Sequence, residues 1–429
     1  MRSRCLTAAT SVLLAASLLA SACSDSDHSS LGNGSLGTVT VRPGDSIQIR
    51  SISSFDPSGP GEKDYLRAVE LAVEDYGPIH GGFSFEVGEG IDDPCSADSG
   101  PSMAGAALAD ASTVGVIGPS CSATATTAVP LITAGGLVVI SMSNTSPLLT
   151  SDLAGTPSEH YQPGYYRTAH NDLYQGEAVS AFLHDEFGPL NVAVVHEGDA
   201  YTQGLAEAFR SAFERRGGMI TDFIKIELGA TDLSEVLDQI AAGQPDAVFM
   251  PLLANPTAEL LEVLREHEAF DDTVLVSGDA ALHHSLLELP TTEGIFIAGP
   301  DRDYGDNINQ ATGVDAKQAA ERFEAKAGTP PFRAFWAHAY DATTLLLDAV
   351  NAASHLERGK LVIDRAGIRD YLDQAAGYQG IIGTISCDLF GDCGPSKITI
   401  IEHRDSDNPE SAWENVVYRF TPQSPPTGR

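Results

Sequence analysis

No Gly-x-Ser-x-Gly elbow, His-Glu-x-x-His pair or Gly-x-x-x-x-Gly-Lys-Ser/Thr loop occurs in the 429 residues. Serine hydrolysis, zinc proteolysis and P-loop nucleotide chemistry therefore have no footing in this chain. No Gly-x-Gly-x-x-Gly follows a strand pattern, which leaves dinucleotide binding unsupported. Basic residues are scarce: 25 Lys and Arg stand against 59 Asp and Glu, for a net charge of -34. Such a surface repels nucleic acid and anionic lipid, and its acidity suits solubility in an exported protein. Cys-x-x-Cys is absent, and the adjacent His283 and His284 have no suitably spaced partners, so neither metal nor cofactor is expected. Beyond residue 22 no apolar run approaches the roughly 20 residues that cross a bilayer. An enzyme is the reading these absences disfavour most.

What is present begins with an export signal. Arg2 and Arg4 precede an apolar run over residues 6–19, and the small residues Ala20, Ser21 and Ala22 lead to Cys23. That ending resembles the lipobox of bacterial lipoproteins, in which the cysteine is acylated and becomes the mature N-terminus. The departure is Ala20, where Leu or Val is usual, with Leu19 one place earlier. Residues 1–22 are thus expected to be a signal peptide, and 23–45 a lipidated cysteine with a tether. The segment SDSDHSSLGNGSLG after Cys23 is polar and without periodicity, and cannot bury enough apolar surface to offset its ordering. Residues 422–429 form a tail. Four cysteines remain, and in an oxidising compartment they read as disulfides. Cys387 and Cys393 flank a turn that brings them together, which leaves Cys95 with Cys121.

From residue 46 onward strands and helices alternate. Strands are expected over 46–53, 83–87, 114–118 and 137–141, with helices over 62–75, 103–110 and 122–134 between them. The rhythm restarts with a helix over 171–187 and a strand over 191–196. A helix over 201–216 follows, then strands over 219–226, 247–251, 273–277 and 294–297, with helices over 233–242 and 257–267. Helices over 315–327, 334–353 and 368–375 precede strands over 381–387, 397–401 and 416–420. About 390 residues of this pattern exceed one core. The fold class is α/β, as two Rossmann-like doubly wound lobes.

Five stretches carry a resemblance: LRAVELAVED (66–75), VIGPSCSATATTAVPLI (116–132), VISMSNTSPLLT (139–150), VAVVHEGDAYTQGLAEAF (192–209) and FWAHAYDATTLLLDAV (335–350). In order and spacing, over about residues 46–402, the chain resembles the type I periplasmic binding proteins. The similar branch is the branched-chain amino-acid (Leu/Ile/Val) receptors of ABC transporters. The resemblance implies three crossings between lobes, near 166–168, 298–300 and 387–396, acting as a hinge. Lobe 1 is then 46–167 with 299–387, and lobe 2 is 168–298 with 396–421. The family's early disulfide corresponds to Cys95 and Cys121.

A zwitterionic amino acid needs donors for its carboxylate and acceptors for its ammonium. Ser122 stands at a helix start, where free N–H groups favour an anion, and Thr145 offers a hydroxyl from the next loop. These match the family's carboxylate contacts. Ser143, by its carbonyl, and Asp279 match the ammonium contacts, and Tyr201 matches a covering aromatic. Phe55 and Leu253 are candidates for the side-chain pocket. Each has a plainer reading: Ser122 and Asp279 as helix caps, Ser143 and Thr145 as turn residues, Tyr201 as packing. The family resemblance implies an exported, membrane-anchored monomer that passes a neutral, branched-chain amino acid to an ABC permease. Related receptors take amides, urea or aromatic acids, and the same fold also feeds sensors.

Overall fold

The computed structural model describes residues 31–55, 61–188, 190–227 and 233–422. The expected signal peptide and Cys23 lie outside them. Among the described residues no helix is long and apolar enough to cross a membrane.

Two large sheets organise the chain. The first runs, edge to edge, through Phe85–Val87, Ile47–Ser53, Thr113–Ile117, Val138–Ser141 and Tyr165–Arg167, with every pair parallel. Ile91–Asp92 extends the pairing along Ile47–Ser53. The second begins with the antiparallel strands Val416–Phe420 and Ile398–Glu402. It continues through Phe296–Pro300, Val274–Ser277, Ala247–Met250, Asn191–His196 and Met219–Lys225. Helices cross over between the parallel strands, so both sheet faces are covered and the strands read as continuous apolar runs. Thr113–Ile117, Val138–Ser141 and Ala247–Met250 are buried at every position.

The strand Tyr165–Arg167 belongs to the first sheet and Asn191–His196 to the second. The strand Phe296–Pro300 still lies in the second sheet. The later helix Trp336–Ala352, however, packs on the helix Asp64–Tyr76 and on the first sheet's strands. The chain rejoins the second sheet at Ile398–Glu402. Residues 391–393 run beside 165–167: the Arg167 N–H donates to the Gly391 carbonyl at 2.9 Å, and the Cys393 N–H to the Arg167 carbonyl at 3.0 Å. Gly391 is required there, because a Cβ would lie 2.2 Å from the Tyr165 carbonyl oxygen. The fully buried Arg167 side chain fastens this junction. It donates to Asp392, to the carbonyls of Asn144 (3.0 Å) and Ser146 (2.7 Å), and to Thr150 Oγ1 (2.8 Å). Cys387 is bonded to Cys393 and Cys95 to Cys121.

Three departures from the sequence reading have physical causes. Thr38–Val41, inside the expected tether 23–45, is a strand paired with Lys360–Asp364; its alternation buries Val39 and Val41. The apolar stretch expected as one strand over 381–387 is a hairpin, Tyr378–Gly380 with Gly383–Ile385. The buried Asp341 carboxylate takes the Ile381 and Ile382 N–H groups at 3.0 and 2.8 Å, which commits those residues to the turn. The helix expected over 257–267 begins earlier, at Ala254, with Pro256 in its first turn, where a missing N–H costs nothing.

Candidate functional site

A cleft of about 600 Å³ lies between the carboxyl ends of the parallel strands of the two sheets, where open α/β sheets place their ligands. From the first sheet come Ser54 and Phe55, the segment Ser120 to Ala123, and Ser143, each in the loop or helix start that follows a strand. From the second come Asp199 and Tyr201, the segment Leu253 to Pro256, and Asp279 with Ala280. Tyr65, Arg333 and Phe335 also line it, as do Cys95, Leu282, His283, Ser285 and Ala334.

The first wall is built around a buried carboxylate. Asp93 accepts the Thr124 hydroxyl at 2.6 Å, the Cys95 and Cys121 N–H groups at 3.0 Å each, and the Ser120 hydroxyl at 3.3 Å. Burial raises its pKa while these donors pull it back down. The loop enters through Gly118, at φ +114, where a Cβ would lie 1.9 Å from the Ile52 carbonyl oxygen. The result is the helix Ser122–Ala134, whose N-cap is Cys121 and not Ser122. Ser122 is the first helical residue, and its Oγ accepts the Ser146 N–H at 3.4 Å. The first-turn N–H groups have no intrahelical acceptors, so this helix end offers donors and a positive dipole to the cleft. Ser143 is tied to the same loop by its hydroxyl, which donates to the Ser120 carbonyl at 2.9 Å.

The opposite wall is acidic. Tyr201 is the N-cap of the helix Thr202–Arg215, and its hydroxyl donates to Asp279 Oδ1 at 2.9 Å while accepting the Ala280 N–H at 3.3 Å. Asp279 follows the strand Val274–Ser277. Burial pushes its carboxyl up to about 6, against the lowering effect of its bonds with Tyr201 and Gln175. Behind it stands Asp172, at 0% exposure, the first residue of the helix Asp172–Phe187. Burial, then the neighbouring Asp279, hold the Asp172 carboxyl well above the ordinary range. His170 Nε2 and Gln175 Oε1 are 2.6 Å apart, and the Gln175 amide donates to the Ala298 carbonyl at 3.1 Å. That arrangement leaves His170 as the donor. Burial lowers His170 to about 4 and His338 to about 3, so both rings are neutral near pH 7.

Six of the sequence candidates, Phe55, Ser122, Ser143, Tyr201, Leu253 and Asp279, line this cleft. Thr145 does not. It is fully buried, and its hydroxyl lies beside the Asp172 carboxylate without a hydrogen bond of normal geometry. Leu253 is placed by its N–H, which donates to Glu197 at 2.8 Å; burial takes that carboxyl up to about 7. The sequence reading missed Asp172, Arg333 and Phe335. Arg333 donates to Ser54 Oγ at 2.9 Å and lies over the Tyr65 ring at 5.0 Å. Phe335 packs against His170 and His338. Of the described residues, Asp93 with Cys95 and Cys121 would make a metal-like cluster, but both sulfurs are in a disulfide. The His170, Asp172 and Asp279 group, with Tyr201 already bonded to Asp279, has the chemistry of a cradle for an ammonium group.

A family model described as periplasmic binding protein matches residues 56–389. By sequence the chain is similar to an "Amino acid binding protein" of Pseudomonas aeruginosa, at 24% identity over 68% of this chain and 74% of that one. It is also similar to the Leu/Ile/Val-binding protein BraC3 of Rhizobium johnstonii, at 26% identity over 58% of this chain and 63% of that one. By fold it is similar to the leucine binding protein LivK of Thermotoga maritima, with a TM-score of 0.71 and 20% identity; the match covers 84% of this chain and 96% of that one. The fold is also similar to LivJ of Streptococcus pneumoniae in complex with isoleucine. There the TM-score is 0.66 at 19% identity, covering 87% of this chain and 98% of that one.

Proposed function

The chain belongs to the type I periplasmic binding protein family, and we propose that it captures an α-amino acid between its two lobes, outside the cytoplasm, and presents it to an ABC permease. The observation that carries this reading is the opposition of two charges across one cleft. The helix end at Ser122 faces it from the first sheet, and the Asp279 and Tyr201 pair, backed by Asp172, from the second. A carboxylate suits the first and an ammonium the second. In this reading Ser122 and its first-turn N–H groups hold the ligand carboxylate, and Thr145 lies buried behind the cleft. The Ser143 carbonyl, Asp279 and Tyr201 receive the ammonium.

Phe55, Leu253 and Phe335 would enclose the side chain. Their apolar surface, with the relatives named for leucine, isoleucine and valine, supports a neutral branched-chain ligand. Arg333 favours a second reading, since its guanidinium faces the same cleft and suits a ligand with an amide or carboxylate side chain. The crossings near 166–168, 298–300 and 387–396 serve as the hinge, and a lipid on Cys23 as the anchor.

A melting screen of the purified protein against the twenty amino acids, urea, short amides and aromatic acids tests the proposal. A ligand at a hundred times its dissociation constant stabilises the folded state by about 2.7 kcal/mol. A shift by leucine, isoleucine or valine is expected under the first reading, and a larger one by glutamine or glutamate under the second. A shift by urea or an amide alone overturns the amino-acid assignment.

A further inference from the structure

Asp172 stands out among the buried groups. An oxygen of its carboxylate, one of Asp279 and a ring nitrogen of His170 lie within 4.8 Å of one another. Neither side-chain oxygen of Asp172 has a hydrogen-bond partner among the described residues, although the residue is wholly buried. A wholly buried carboxylate with a second carboxylate beside it does not stay ionised unless a cation neutralises it.

Among the described residues, the charged and titratable groups around Asp172 come from every element packed on it; the charge of Arg167 lowers the pKa of the Asp172 carboxyl, but by less than burial and then Asp279 raise it. Arg167, at the end of the first sheet, spends its guanidinium on Asp392, the Asn144 and Ser146 carbonyls and Thr150. Asp279, after a strand of the second sheet, and Asp199, ahead of the helix Thr202–Arg215, are acids themselves. His170, in the loop before the Asp172 helix, is kept neutral by burial. Tyr201 gives its hydroxyl proton to Asp279. Thr145 contributes only a neutral hydroxyl.

Resting on the amino-acid reading above, we propose that Asp172 carries a proton in the ligand-free protein and releases it when the ligand's ammonium docks against Asp279, whose carboxylate lies within 4.8 Å of that of Asp172. The balance is simple. The Asp172 O–H bond breaks, its electron pair stays on the carboxylate, the proton leaves to water, and the ammonium supplies the positive charge in its place. Asp279 faces the cleft and gives the proton a way out. Capture is thereby tied to pH. Affinity weakens on acidification, by up to about tenfold per pH unit where one full proton is exchanged. A ligand without a protonated amine expels no proton.

The test is calorimetry of the intact protein with whichever of the twenty amino acids shifts its melt most, run in phosphate and in Tris at pH 7. These buffers take up a proton with very different heats. The expected result is about one proton released per ligand, falling to none in Asp172→Asn, whose affinity also loses its pH dependence. If an amino acid binds and the heat is the same in both buffers, the proton inference falls while the amino-acid reading stands. If no amino acid binds, both fall together. Should Asp172→Asn fail to fold, infrared difference spectra of the wild-type protein decide the matter. A protonated carboxylic acid band that disappears on ligand addition supports the inference, and its absence overturns it.

Discussion

Asp279→Asn should make the ligand-free protein more stable while destroying its ability to bind. In the folded state the Asp279 carboxyl is pushed from 3.8 to about 6, chiefly by burial. About two units at 1.36 kcal/mol each amount to roughly 3 kcal/mol of stability forgone once the group is ionised. A raised carboxyl contributes its full stability below its unfolded pKa and loses it as pH rises through the folded one. The cost is therefore absent below about pH 4, grows up to about pH 6, and is constant above. An amide in the same place never ionises. The Tyr201 hydroxyl, 2.9 Å from Asp279 Oδ1, keeps an acceptor, and the charge assistance it loses is already contained in the net shift. The gain at pH 8 is then about 3 kcal/mol. Urea unfolding at pH 4 and pH 8 reads it directly, as a rise in midpoint at the higher pH and none at the lower. A variant less stable at pH 8, or a gap equal at both values, would refute the argument that burial of this charge is held in reserve for a ligand.

Three further outcomes follow from the packing. Arg167→Met should cost about 3–5 kcal/mol in urea unfolding, because Asp392 and three loop acceptors lose a buried partner; a loss below 1 kcal/mol would show that the junction is held by other contacts. Gly118→Ala should destabilise by more than the usual 1 kcal/mol of a glycine replacement, since its Cβ would meet the Ile52 carbonyl oxygen at 1.9 Å, and unaltered melting would contradict that. Cys95→Ser with Cys121→Ser should lower stability by roughly 3 kcal/mol for a loop of this length; it should also weaken ligand binding, because the same loop shapes the helix end at Ser122.

How far the sequence reaches depends on which force shapes each element. The helix Ser122–Ala134 and the strand Asn191–His196 fall where the sequence pattern places them, because burial decides the strand and the body of the helix, while the Asp93 carboxylate fixes the loop at the helix start. The hairpin at residues 378–385 was illegible: its turn is set by a buried carboxylate some forty residues earlier, at Asp341. Thr38–Val41 hid behind a polar, glycine-rich approach, and only its partner Lys360–Asp364 gives the alternation meaning. In the site, the helix end at Ser122 and the acid at Asp279 are local features visible in their own loops. Asp172 was missed because Asn171 and Asp172 read simply as a helix start, and Asn171 does cap it. Its closeness to Asp279, more than a hundred residues on, belongs to the sheet order, and Arg333 and Phe335 enter the cleft from outside the parallel strands.

The most direct test is a calorimetric titration of the purified protein with leucine and with its deaminated counterpart, the same carbon skeleton bearing a carboxylate but no amine. The two share the side chain and the group meant for the helix end at Ser122, and differ only in what meets Asp279. The account predicts that leucine binds and that the deaminated acid is weaker by at least a hundredfold, since it leaves the buried Asp279 charge without a compensating cation. Equal affinity for the two would contradict the ammonium site, and with it the central claim.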